Sequence, residues 1–253
     1  VSVSASSNML TSSGAALTLS GEDGSVSVKG ADGLLSNTGG SVSIASGGSI
    51  EGNSGKVLIM SSNASSASGE ISMGSGTSVG PSGTVTLSSG NSIGAEAGDI
   101  TLIGGVSGAG NGSEIAIRSG DTLSTESDSV GGSITIESGR AMGGSSGDIA
   151  LISPNATKNG GSLSLVAGSS SSDGEGGSVR VAAGMSETAG GGDLILNAGS
   201  SISGVEVGGS VSIEAGSSSE GTGGSVGILA GLSEAGEGGS ISLGTPGTSG
   251  TSG

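Results

Sequence analysis

The side chains able to do chemistry in this chain are few and nearly of one kind. Asp and Glu number 22 and Lys and Arg six, and there is no His, Cys or Tyr. General acid–base or nucleophilic catalysis would therefore fall to carboxylates converging across a cleft. Their spacing points elsewhere. Glu70, Asp99, Glu114, Asp148 and Asp193 each stand immediately before an aliphatic residue that belongs to a regular series, so they form an interrupted acidic column along a repeat. Carboxylates along a column do not face one another, and no catalytic residue is assigned; the chain is not expected to be an enzyme. Carboxylate oxygens suit calcium, but the Asp-rich nonapeptide of calcium-binding β-rolls is missing. No metal or cofactor-binding residue is assigned.

Three sequons offer covalent chemistry of another kind. Asn63-Ala-Ser, Asn111-Gly-Ser and Asn155-Ala-Thr are candidate N-glycosylation sites, and all fall in or near corners of the repeat, where a bulky glycan would stand clear. An array of Thr on one face would suit ice binding. The central position of the repeat carries Thr86, Thr101 and Thr135, but Arg180 and Ile195 interrupt it.

Composition narrows the classes further. A formal net charge of −16, with no basic run and no aromatic residue, repels nucleic acid and anionic lipid. No apolar run approaches the roughly 20 residues of a membrane span. Glycine contributes 58 of 253 residues, and the lack of aromatics leaves little volume for a thick core. Zero cysteine removes disulfides and leaves the redox compartment undetermined. The start at Val1, with no initiator Met, suggests a mature product or a fragment.

The elements that would position these groups are read from periodicity. Anchoring each copy on its first aliphatic residue gives Val42, Val57, Ile71, Val85, Ile100, Ile115, Ile134, Ile149, Leu163, Val179, Leu194, Val211, Val226 and Ile241. The steps between anchors run from fourteen (Val57 to Ile71) to nineteen (Ile115 to Ile134), and most are fifteen. A second apolar residue follows two later, the period of a β-strand face. Gly lies two residues before the anchor in 13 of 14 copies, Ser113 being the exception, and five residues after it in 11, with Ser62, Pro154 and Pro246 in the others. Glycine at fixed ends of a short strand marks turns needing open backbone angles. A small residue always stands four after the anchor, as Ser46, Gly104 and Ala215 do, and tapers an inward face into a corner.

Seven residues after the anchor stands Ser, Ala or Thr in every copy, in a second short extended piece, with an apolar neighbour just before it (Val106, Met185, Leu232) or just after it (Ile50, Val79, Ile93). Two parities are open, and the constancy of the small residue favours its facing in, with the apolar neighbours as an outer ridge. Ile103, Ile152, Val166 and Leu229 extend an outward apolar column that suggests a partner sheet. The long step after Ile115 contains Ser124 to Val130, an inserted loop.

The expected fold is all-β, a parallel β-solenoid (β-helix) with about 15-residue rungs and Gly-rich corners. At about 4.8 Å per rung the stack would reach on the order of 75 Å. Residues 1–41 read as atypical N-terminal rungs or a cap, 42–244 as regular repeats and 245–253 as a tail or partial rung. Two or three aliphatics per rung fall short of the ordering entropy of a whole rung, so lateral contacts are expected to contribute.

The Gly-Gly-Ser-Val-Ser-Ile and Ala-Gly-Ser-Ser-Ser pattern of residues 40–244 resembles the Gly/Ser-rich repeats of extracellular and cell-surface β-solenoid proteins, such as those of diatoms and related algae. More distantly it resembles filamentous-haemagglutinin-type adhesins. The resemblance implies a secreted or surface fibre that scaffolds or adheres, and carries over no functional residue. The expected function is thus a structural protein, an extracellular filament or adhesive stalk formed by self-association. The alternative is a soluble ice-binding or ligand-binding solenoid.

Overall fold

The computed structural model describes residues 25–33, 38–126, 128–171, 173–202 and 206–245. Leu17 and Leu19 of the expected N-terminal cap, and Pro246 and Thr248 of the tail, lie outside the described residues. The chain divides into two units, Val1–Arg118 and Ser119–Gly253.

The expected β-solenoid is not what forms. Among the described residues there is no helix and no strand, hence no sheet, no rungs and no partner sheet for the outward aliphatics. No side chain among them is buried. The accessible surface is 25060 Å². A folded monomer of this 22.9 kDa mass would expose about 9,600 Å² and an unfolded chain about 33,000 Å². The surface that a packed core would remove is mostly still in water.

The aliphatic pairs share this exposure unequally. In every described copy the anchor is the more covered member, at 48 to 63% exposed against 60 to 85% for the residue two later. The apolar neighbours of the second piece, Ile50, Val79, Ile93, Val106, Met185 and Leu232 among them, are 90 to 111% exposed. They contribute nothing to a core on either parity.

Order comes from local closure instead. The N–H of the glycine two residues before an anchor donates to the carbonyl five residues after the previous anchor, pinching the stretch between them into a loop. In Val1–Arg118 this neck joins Gly40 to Ala31 at 2.7 Å and Gly55 to Gly47 at 2.9 Å. In Ser119–Gly253 it recurs seven times, at Gly132–Gly120, Gly147–Gly139, Gly177–Gly168, Gly192–Gly184, Gly209–Gly199, Gly224–Gly216 and Gly239–Gly231, over 2.8 to 3.0 Å. The Ala31 neck belongs to a copy anchored on Val26, which precedes the Val42 copy. Loops of this size with adjoining ends are Ω-like.

The neck bond is missing from the shortest loops. The backbone necks range in span from the eight-residue separation of Gly47 and Gly55 to the twelve-residue separation of Gly120 and Gly132. The three shortest steps, from Val57, Ile71 and Ile149, leave a separation of only seven between the neck positions, and none carries the bond. The step from Val85 to Ile100, one residue longer, also lacks it.

The neck explains the glycines differently from the expected turns. Gly110 is the one described glycine at positive φ, so open backbone angles are not why glycine recurs at the repeat boundaries. At several necks the glycine before the anchor is needed for close approach. A Cβ on Gly132 would lie 3.1 Å from Ser119 Cβ and 3.2 Å from the Gly120 amide nitrogen; on Gly239 it would lie 3.1 Å from the Gly231 nitrogen. The glycine after the pair meets nothing: a Cβ on Gly120, Gly199 or Gly231 would have no atom within 4 Å. That asymmetry matches its replacement by Ser62 and Pro154. It also accounts for the small residue four after the anchor, which faces the neck glycine; Ser61, Gly104, Ser138, Ala167, Ala215 and Ala230 there are half-buried.

Two substitutions in one loop separate these roles. Gly209→Ala should weaken its neck by about 1 kcal/mol and speed exchange of the residue-209 amide roughly fivefold, whereas Gly199→Ala should leave that amide unchanged. Hydrogen exchange followed by NMR reads both.

Candidate functional site

Each loop beyond the neck is built around the residue seven after the anchor. In eight of the described copies a hydroxyl at that position turns back onto its own backbone. Ser49 Oγ accepts from the Gly52 N–H at 2.9 Å, Ser92 Oγ from Ala95 at 3.1 Å, Ser186 Oγ from Ala189 at 3.0 Å, Ser218 Oγ from Gly221 at 2.8 Å and Ser233 Oγ from Gly236 at 2.9 Å. Ser78 and Thr122 make the shorter version, accepting from the amide two residues on. These are hydroxyl-capped turns. The constancy of this position therefore reflects local capping, and the expectation that it faces an interior is corrected. The signal was present in sequence as Ser followed three residues later by Gly or Ala.

The loop inserted after Ile115 is the most internally bonded. Gly132 closes its neck onto Gly120 at 2.9 Å. Inside it Ser124 Oγ accepts from the Glu126 N–H at 3.3 Å, Ser129 Oγ bonds Ser124 Oγ at 2.8 Å, and the Ser129 N–H donates to the Glu126 carbonyl at 3.1 Å.

One copy closes by a different donor. Ser113 is the single non-glycine at its neck position, and the residue facing it is Gly104, one of two glycines, with Gly30, among the facing small residues. Ser113 Oγ donates to the Gly105 carbonyl at 2.9 Å, the acceptor that elsewhere receives the glycine N–H. A Cβ on Gly104 would lie 2.5 Å from that hydroxyl. The two departures from the repeat compensate: the side chain moves from one wall of the neck to the other.

The acidic column is dispersed. Glu70, Asp99, Glu114, Asp148 and Asp193 are all exposed, and no group of three or more His, Cys, Asp or Glu side chains among the described residues is placed to share a metal ion. No pocket opens among the described residues, and no helix among them is long and apolar enough to cross a membrane. Lys29 and Asp32 pair at 2.8 Å while both remain exposed, a contact worth little in water.

The three sequon asparagines are exposed. Asn63 and Asn155 occupy the same register, six residues after their anchors, whereas Asn111 follows Gly110, whose φ is +88°. Set against known proteins, the chain matches no family model, no curated protein and no solved structure.

The compensated neck makes a reciprocal prediction. Gly104→Ser alone should displace the Ser113 hydroxyl and shift the Gly105 resonances. Adding Ser113→Gly should restore closure through a backbone N–H, seen as slowed exchange of the residue-113 amide by about fivefold.

Proposed function

We propose that this chain is a structural protein that self-associates into an extracellular filament or adhesive stalk. The observation that carries this reading is the regularly repeated aliphatic pair, left in water in every described copy from Val26 and Val28 to Ile241 and Leu243. Soluble monomers rarely expose so much regularly placed apolar surface. A partner presenting the same series can engage many pairs at once, so weak individual contacts sum to strong overall attachment.

Charge sets the conditions for that association. The net charge of −16 repels like chains at long range, and salt shortens the reach of the repulsion to about 8 Å at physiological ionic strength. Short-range burial of the pairs then prevails on close approach. An extracellular or cell-surface location is supported by the three sequons and by the resemblance to secreted Gly/Ser-rich repeats.

Negative-stain electron microscopy with sedimentation velocity tests the proposal. Filaments or large oligomers are expected at physiological salt. Replacing Val211, Ile213, Val226 and Ile228 by Ser should raise the concentration needed for assembly by about tenfold or more. A native chain that sediments only as a monomer at every salt and concentration would overturn it.

A further inference from the structure

We propose that Asn63 and Asn155 are the acceptors of N-linked glycans in this chain, and that Asn111 is not. The three motifs are equivalent as triplets, but their settings differ. Asn63 and Asn155 lie in the only two described loops that lack both forms of closure. Their seven-residue spans carry no neck bond, and the capping position is Ala64 or Ala156, which has no hydroxyl to turn back. The position before each Asn has also lost its usual glycine, to Ser62 and Pro154. Three departures from the repeat thus coincide in the two copies that carry these asparagines.

The hydroxyl of the third residue completes the contrast. A transferase recognises the Asn together with that hydroxyl, which must be free to meet the enzyme. Ser65 and Thr157 have no bonded partner in the structure and stand at the bend that follows each Asn. Ser113, the third residue of the Asn111 motif, already donates its hydroxyl to the Gly105 carbonyl at 2.9 Å and closes the neck of its loop. Engaging the enzyme there would open the neck, and the loop enters Asn111 through the positive φ of Gly110.

The co-substrate is an oligosaccharide carried on a lipid diphosphate. Asn Nδ2 bonds to the anomeric carbon as the carbon–oxygen bond to the diphosphate breaks; the diphosphate leaves with the electron pair, and the amide proton passes to a base of the transferase. The site assignment rests on the extracellular reading above, but its test does not. The whole chain is directed through the secretory pathway of a eukaryotic host, which supplies enzyme and donor whatever the native location. The secreted protein is then treated with peptide N-glycosidase in ¹⁸O water, which converts each glycosylated Asn to labelled Asp, and mapped by mass spectrometry. Label at both 63 and 155, absence of label at 111, and loss of the glycan mass shift in Asn63→Gln with Asn155→Gln are expected. Absence of label from either Asn63 or Asn155, or label at Asn111, would overturn the assignment, while leaving the filament reading to its own microscopy.

Discussion

The structure depends on one close approach, made at the neck of each loop, where a glycine N–H meets a carbonyl at least eight residues earlier in the chain. Such a bond contributes on the order of 1 kcal/mol net. The geometry explains three sequence features together. Glycine precedes the aliphatic pair where a Cβ would crowd the opposite wall, as at Gly40, Gly132 and Gly239, the facing residue is small for the same reason, and no neck with a separation of only seven closes. The Ser113 copy shows that the acceptor is retained even when the donor changes from backbone to hydroxyl.

Much of this arrangement was legible in the chain, and the larger fold was not. Spacing alone located the glycines of the neck, the small residue beside them and the hydroxyl-bearing position of the loop. It misassigned what they do. Aliphatics two apart, such as Val211 and Ile213, state which side chains would share a face if the backbone were a strand; they do not supply the neighbouring strand to bond with. The step between copies also varies, from fourteen between Val57 and Ile71 to nineteen between Ile115 and Ile134. Closure within a loop tolerates that variation. The backbone groups outside the necks stay hydrated, which satisfies them without a sheet.

The hydroxyl position carried the same ambiguity. Constancy of Ser, Thr or Ala reads equally as a packing constraint or as a local capping constraint. Only the bonds from Ser49, Ser92, Ser186, Ser218 and Ser233 to amides three residues on separate the two. What remains after these assignments is a surface with a repeating apolar element and an acidic background, locally closed loops between, and two loops released from both constraints. Association, if it follows the aliphatic pairs, would then draw on side chains that the fold leaves unused rather than on its closures.

The most direct test of local closure is a residue-resolved map of amide exchange in the dilute, monomeric chain. Protection confined to the neck glycines and the capped turn amides, such as those of residues 209 and 224 and of residues 221 and 236, is the predicted result. Continuous protection through the aliphatic segments, for example across residues 211–215 and 226–230, would mean that neighbouring copies pair along their backbones and would contradict the account.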